Sequence, residues 1–411
     1  MAQINITLNQ DEILQLLSND REGAFKKVFQ EGLNSLLKAE SFEQLNAAPY
    51  ERSEERTDSR NGTRQRKLNT RIGTITLDVP RHRNVPFKTN IFDNYKRSES
   101  ALITTMAEMV VSGVSTRKVT NVVEELCGTS FSKSTVSEVC KELDSSIDEF
   151  CNRPLTEEYP FVVVDATYFK ARDDHRIKSK ALMIAIGITN TGMREVLGFQ
   201  TYDNESKQTW LSFFDSLKER GLKGLKMITS DAHEGIINAV VKVFPGVPWQ
   251  RCQYHFTKNI MNTVPAKYQK GLQAELQAMF QSNTIEEARL KRDSILSDYY
   301  DVAEKAMECL ENGFEDAMTV MFIPERLRRI FRTSNYIERL NGELKRRSNV
   351  IGIFPNESSI LRLMGAVLIE QHEHYQTMNR IFYNPDYTAM LNNSNKLEII
   401  ALEQLKQLEA A

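Results

Sequence analysis

"FVVVDATYFKARDD", residues 161–174, runs four apolar residues, three of them β-branched valines, straight into an acid, Asp165. A short apolar run with β-branched residues reads as a buried strand, and a carboxylate at the end of one is costly unless something offsets its charge. The segments downstream show what kind of sheet this strand belongs to. "KALMIAIGIT" (180–189) and "MREVLGFQTYD" (193–203) are two more strands, joined through Asn190, Thr191 and Gly192, a hairpin signal. "SKQTWLSFFDSLKERG" (206–221) has helical spacing with Gly221 as its stop, and "LKMITSD" (225–231) is a fourth strand. "AHEGIINAVVKVFP" (232–245) is a helix ended by Pro245, and "VPWQRC" (247–252) is a fifth strand.

The order is β-β-β-α-β-α-β. Three antiparallel strands followed by right-handed crossovers into parallel ones describe an α/β, ribonuclease H-like core in which the first and fourth strands are parallel neighbours. Asp165 closes the first strand and Asp231 follows the fourth, so both acids are expected at the same carboxyl edge of the sheet, a common location for sites in open α/β folds. Two anions held there repel each other unless a cation lies between them. Mg2+, which takes oxygen ligands, is the expected ion, and Mn2+ is expected to substitute for it.

The rest of the chain bounds the function. At 411 residues it should divide into several units, and 41% hydrophobic with 26% charged residues is a globular composition. The apolar run "ALMIAIGI" (181–188) is far too short to span a bilayer, and "MAQINITLNQDE" at the start has no secretory pattern, so a cytosolic location is expected. The cysteines, Cys127, Cys140, Cys151, Cys252 and Cys309, are scattered and never form a Cys-x-x-Cys pair, which argues against a disulfide framework or a zinc ribbon. No Gly-x-Ser-x-Gly, Walker or Gly-x-Gly-x-x-Gly motif is present. An aspartyl-phosphate phosphatase would need a second acid where Thr167 stands.

Net charge is only −2, but the distribution is uneven. From Arg56 to Lys88 nine basic residues face two acids, and from Glu325 to Arg347 eight face three glutamates. Basic stretches of this kind contact phosphate. The candidates are Arg60, Arg64, Arg66, Lys67, Arg71, Arg81 and Arg83 in the first stretch and Arg339, Lys345, Arg346 and Arg347 in the second. Residues 1–50 form a helical segment, with Ile13, Leu16, Leu17, Phe25, Val28, Phe29 and Leu33 at helical spacing. Residues 51–97 read as a basic linker, polar over 51–70, running into one short strand stopped by Pro80. Within 98–152, "STRKVTNVVEELCG" with Ser115 as N-cap and Gly128 as stop, then "SKSTVSEVCKELDSSIDEF" capped by Ser132, fit a helix-turn-helix. Lys133, Ser134 and Thr135, at the start of its second helix, are the candidate base-reading residues.

"DATYFK" (165–170), "TSDAHEG" (229–235), "WQRCQYH" (249–255) and "RTSNYIERLNGELKRRSNVIGIFPN" (332–356), in this order and spacing, resemble the bacterial mutator-type insertion-sequence transposases of the DDE superfamily. "RNGTRQRKLNTRIGTITLDVPRHR" (60–83) and "GVSTRKVTNVVEELCGTSFSKSTVS" (113–137) resemble that family's N-terminal half, so the likeness covers about residues 50–370. It implies a DNA transposase that binds the terminal inverted repeats of its own element and carries out metal-dependent cleavage and strand transfer. It also implies an all-helical insertion over 257–330 that interrupts the core of 157–256, which is completed by 331–411. The implied partners are double-stranded repeat and target DNA and further copies of the chain, with no membrane.

The third acid of the set falls at Glu338 or Glu343. If Asn335 caps this helix, Glu338 stands where a capping-box glutamate is expected. Both acids flank the stripe of Ile337, Leu340 and Leu344, and spacing does not choose between them. The family pattern, an Asn three residues before the acid and Arg-Leu-Asn after it, favours Glu338. Asp165, Asp231 and Glu338 would then hold two Mg2+ for phosphoryl transfer. Cys252 and His255 have metal-ligand spacing but no second such pair nearby; the family likeness places them beside the active site. The competing reading is a non-catalytic, sequence-specific DNA-binding regulator derived from a transposase.

Overall fold

The computed structural model describes residues 21–47, 51, 56–70, 73–89, 100–127, 131–378, 381–392 and 395–410. The chain forms two compact units, Met1–Glu142 and Leu143–Ala411. Ile13, Leu16, Leu17, Arg71 and Gly128 lie outside the described residues.

In the first unit, helix α1 (Arg21–Leu45) packs on a two-stranded antiparallel sheet of β1 (Arg60–Thr70) and β2 (Gly73–His82). Strand β2 alternates, and Ile75, Leu77 and Val79 are buried with Leu68 and Leu37 beneath α1. Phe25 and Phe29, by contrast, are exposed. The linker expected over 51–70 is a strand from Arg60 onward. It lacks a hydrophobic period because only its turn end, Leu68 and Thr70, is buried, and pairing with β2 supplies what local sequence does not. Pro80 does not stop β2. It pairs with Thr63 beside a register shift, and a two-stranded sheet has only edge strands, where proline is tolerated. Asp58, one of the two acids of the basic stretch, ties the ends of this element together. Its carboxylate accepts from Val85 N–H and Asn84 N–H, both at 2.8 Å, and these hold its pKa down at about 2.

Helices α2 (Ser100–Val111), α3 (Thr116–Cys127) and α4 (Lys133–Cys140) bury Leu102, Met106, Val119, Val123, Phe131, Val136 and Val139 between them. Ser132 caps α4 as expected, accepting from Thr135 N–H at 3.0 Å. The single helix expected over 132–150 is two. It breaks at Lys141 and Glu142, where the first unit ends, and α5 (Leu143–Asn152) belongs to the second.

The second unit is built on a mixed five-stranded sheet with the order β5-β4-β3-β6-β7, formed by β3 (Phe161–Asp173), β4 (Arg176–Ile188), β5 (Arg194–Tyr202), β6 (Met227–Ser230) and β7 (Trp249–Arg251). β3, β4 and β5 are antiparallel; β6 is parallel to β3, and β7 to β6. Helices α6 (Lys207–Glu219) and α7 (Glu234–Val243) cover one face, where Trp210, Phe213, Phe214, Ile236 and Val240 pack on Val162, Val164, Met183 and Ala185. Residues alternate along a strand, so Phe161, Val163 and Asp165 share the other face.

β3 does not end at Asp165. It continues to Asp173, pairs with β4 throughout, and turns back through Asp174 and His175, both at positive φ (47° and 63°), a two-residue hairpin turn. The distal half carries only alternating burial, with Phe169 and Ala171 inside, and so lacks the apolar run that marks the first half.

Helices α8 (Gln253–Met261), α9 (Ala266–Phe280), α10 (Ile285–Tyr299) and α11 (Glu304–Met318), then a short 3-10 turn and α12 (Glu325–Phe331), follow β7. They bury a core of their own that includes Leu272, Leu276, Met307, Leu310 and Phe314. Phe331 returns the chain to the sheet by stacking on Phe161, with ring centroids 3.8 Å apart. Then come α13 (Asn335–Ser348), α14 (Glu357–Thr377), α15 (Asp386–Asn392) and α16 (Lys396–Ala410).

Helix α14 lies against β5 at Gly365, where an added Cβ would stand 2.8 Å from the Phe199 ring and 3.3 Å from Ile147. Gly365→Val should therefore cost about 1–3 kcal/mol of stability, visible as a lower urea midpoint with an unchanged slope. A midpoint equal to that of the parent would mean that this approach is not close.

Candidate active site

Chain segments far apart in sequence meet just past the carboxyl end of β6. The parallel register pairs Val163 with Thr229, and continued for two residues it sets Asp231 opposite Asp165, where adjacent strands lie about 4.8 Å apart. β6 ends at Ser230, whose C=O accepts from Cys252 N–H at 2.7 Å just past β7, and the chain then turns toward α7. His233 caps α7, its Nδ1 accepting from Gly235 N–H at 3.2 Å.

Asp165 is held at both oxygens. Oδ1 accepts from Ala166 N–H at 2.9 Å and Oδ2 from Asn341 Nδ2, on α13, at 2.6 Å. Burial pushes its pKa up to about 7, and the charge of Asp231 adds to the push; Ala166 N–H and His255 act against it. Asp231 is raised as well, first by burial, with His255, His233 and Arg251 opposing. Asp231 Oδ1 and Asn341 Oδ1 are buried with no hydrogen-bond partner among the described residues. Two crowded carboxylates and orphaned oxygens form a donor set made entirely of oxygen, and this set fits a hard divalent cation such as Mg2+.

Glu338 approaches from the first turn of α13. Its Oε1 accepts from Ser334 Oγ at 3.0 Å and lies 3.7 Å from His255 Nε2. Ser334, not Asn335, is the N-cap, so Glu338 stands one place beyond the capping-box position. The cap has no side-chain hydrogen bond of its own; Ser334 N–H and Oγ reach Cys252 Sγ instead, at 3.4 and 3.2 Å. Glu343 is engaged elsewhere. Arg346 and Arg347 bind it at 2.6–2.7 Å, and the Arg346 hydrogen bonds first of all hold its pKa down at about 2. Ile337, Leu340 and Leu344 are the buried stripe between the two acids, as their spacing predicts.

His255 links the acids. The Cys252 sulfur beside it, with Glu338 and Asp165, pushes its pKa up to about 9 against the effect of burial. Sequence reasoning misses Asn341, Ser334 and Glu205. The Glu205 side chain is largely buried near Asp165, accepts from Trp210 Nε1 and Tyr168 OH, each at 3.1 Å, and lies 3.6 Å from His233. Asn341 has a usable signal, three residues after Glu338 on one helical face; Glu205, in a loop, has none.

The basic candidates divide in their surroundings. Arg64, Lys67, Arg81 and Arg83 are exposed on the hairpin, whereas Arg60 is partly buried, donates to Ala47 C=O at 2.6 Å and lies over the Phe42 ring. Arg66 is partly buried. Lys133 and Ser134 are exposed at the start of α4, and the Thr135 hydroxyl lies 2.8 Å from Ser132 Oγ within the cap. In the second unit Arg339 and Lys345 are exposed, while Arg346 and Arg347 are paired with Glu343, and Arg347 also with Glu370.

The family model for "Transposase, Mutator family" matches residues 1–378. The chain is 41% identical over 390 residues, 94% of its length and 100% of the other's, to the transposase for insertion sequence element IS256 in transposon Tn4001 of Staphylococcus aureus. It is 38% identical over 365 residues (89% and 91%) to the transposase for ISRM5 of Rhizobium meliloti, and 36% identical over 343 residues (83% of each) to that for IS1081 of Mycobacterium tuberculosis.

The raised pKa of Asp165 has a direction that can be tested. Its folded value of about 7 lies above the ordinary 3.8, so its contribution to stability is fully present below about pH 4 and is lost as pH rises through 7. In chelator, thermal melts of the parent should fall between about pH 4 and 7 by more than those of Asp165→Asn. Parallel curves for the two proteins would contradict the shift.

Proposed function

The chain belongs to the Mutator family of transposases, and from that premise we propose that it binds the terminal inverted repeats of an insertion sequence and cuts and joins DNA with a DDE set of Asp165, Asp231 and Glu338 on a ribonuclease H-like core. The observation that carries this reading is the pair of buried carboxylates, both with raised pKa, at the edge where β6 ends, one with an orphaned oxygen. A fold keeps so costly a pair when a cation offsets it.

In this reading Asp165, Asp231 and Glu338 hold Mg2+ or Mn2+. What bound ions supply is polarisation of the attacked phosphate, activation of a water or 3′-hydroxyl, and relief of charge on the leaving oxygen. The protein's own groups keep the ligands in place. Ala166 N–H and Asn341 Nδ2 fix the plane of the Asp165 carboxylate, and second contacts of this type govern metal affinity. His255 moderates the negative charge between the acids and Glu338. Arg339, exposed and one residue beyond Glu338, takes a DNA phosphate in this reading. Glu343, already neutralised by two arginines, is poorly disposed to ligate a cation.

DNA recognition falls to the first unit in this proposal. The exposed cations of the β1–β2 hairpin take phosphates, and α3 and α4 act as a helix-turn-helix with the start of α4 toward base edges.

Asp165→Asn, Asp231→Asn and Glu338→Gln should each reduce nicking and strand transfer of a labelled repeat-end duplex at least about a hundredfold, with gel-shift binding preserved. Glu343→Gln should keep most of the activity. A dead Glu343→Gln beside an active Glu338→Gln would reverse the assignment, and parent protein that binds ends but never cuts them would favour the regulator.

For the DNA-binding unit the fragment to test is 1–142, since α5 packs with the sheet unit. It should prefer repeat-end DNA to scrambled duplex, and Arg64→Gln with Lys67→Gln should lower the salt slope of binding by about 0.9 for each phosphate no longer neutralised. Equal affinity for both duplexes, or an unchanged slope, counts against these roles.

A further inference from the structure

Cys252, His255 and Glu338 bring one ligand atom each to within 4.8 Å of one another, and the three are chemically unlike: a thiol, an imidazole and a carboxylate. We propose that they form a binding site for a borderline-soft transition ion, Zn2+ foremost, separate from the oxygen site at Asp165 and Asp231, and that filling it withdraws Glu338 from the acid pair. The second half of this proposal rests on the catalytic assignment above; the first half does not.

The local structure favours such a site. Cys252 is the N-cap residue of α8 and His255 lies in its first turn, so i, i+3 spacing turns both to one side. Cys252 makes no side-chain cap bond, and its fully buried sulfur faces Ser334. His255 Nδ1 is buried without a hydrogen-bond partner, while the side chains of His255 and Glu338 stay 28% and 27% exposed, leaving a way in for an ion. The single proton of Ser334 Oγ faces both Cys252 Sγ and Glu338 Oε1 and serves one at a time.

Thiolate and imidazole select Zn2+ over Mg2+, and three protein ligands with a fourth position open to water or a phosphate oxygen is a stable arrangement for that ion. Bonds of about 2.0–2.3 Å put tetrahedral ligand atoms about 3.5 Å apart, so closure around an ion takes a contraction of about 1 Å, within reach of the partly exposed Glu338 and His255 side chains. The Asp165 and Asp231 oxygens offer no sulfur and no imidazole. The two sites therefore divide hard from soft ions and meet at Glu338, which gives a transition ion a route to silence the Mg2+ site.

Co2+ is the probe, because a thiolate ligand gives it a sulfur-to-metal charge-transfer band that oxygen ligands do not. The full-length parent should bind one Co2+ at this site with that band, and Zn2+ should bleach it. Cys252→Ser should abolish the band and Asp165→Asn should retain it. Glu338→Gln and His255→Gln should each weaken Co2+ binding at least about tenfold. No band in the parent, or a band that survives Cys252→Ser, overturns the site, and this readout needs no variant to be active. Full Co2+ affinity in Glu338→Gln overturns the sharing of Glu338. Neither result bears on cleavage by the acid variants, so failure of this site and failure of the catalytic assignment are read separately.

Discussion

The burial of Asp165 beside Asp231 is the constraint that the surrounding groups answer. β3 and β6 are parallel neighbours for three paired residues, Phe161 with Met227, Val162 with Ile228 and Val163 with Thr229, and the same register continued past the end of β6 sets Asp231 opposite Asp165. Burial and mutual charge both raise Asp165, and the protein answers with Ala166 N–H, Asn341 Nδ2 and a nearby His255 rather than with a lysine or arginine salt bridge to either acid among the described residues. Neutral donors and a histidine hold the carboxylates in position without neutralising them fully, and so leave them able to take a cation.

Helix α13 carries the other half of the site, and its N-terminus is unusual. Ser334 caps by position only, its hydroxyl and N–H being directed to Cys252 and Glu338. The start of α13 is thereby pinned to the start of α8, which follows β7 directly. The long helical excursion from α8 to α12 has its own core and leaves and rejoins the sheet at this junction, with Phe331 stacked on Phe161. An insertion that folds on itself can lie between two halves of a site without loosening it, because the ends are fixed by contacts to the sheet.

Charge is organised locally in the same way. A net charge of −2 conceals a hairpin that presents Arg64, Lys67, Arg81 and Arg83 to solvent, while Asp58, the buried acid nearby, is consumed in closing the element. Not every cation in a basic stretch is free for phosphate: Arg60 supports the hairpin through Ala47 and Phe42, and Arg346 and Arg347 are spent on Glu343.

Much of the second unit is legible in sequence because its elements carry strong local signals. The apolar run of 161–164, the Asn-Thr-Gly turn at 190–192 and the alternation of strands with amphipathic helices state the element order, and the order constrains which strands can be neighbours. The family likeness is legible too, because its motifs are contiguous. Strand β1 and the distal half of β3 are not, since their pairing partners, not their own periods, make them strands. The register that opposes Asp231 to Asp165, the choice of Ser334 over Asn335 as cap, the roles of Asn341 and Glu205 and the different fates of Glu338 and Glu343 all depend on groups between 4 and 176 positions apart coming within a few ångströms. Local sequence determines which elements form; only the packed chain determines which polar atoms are left facing one another, because that depends on every long-range contact at once.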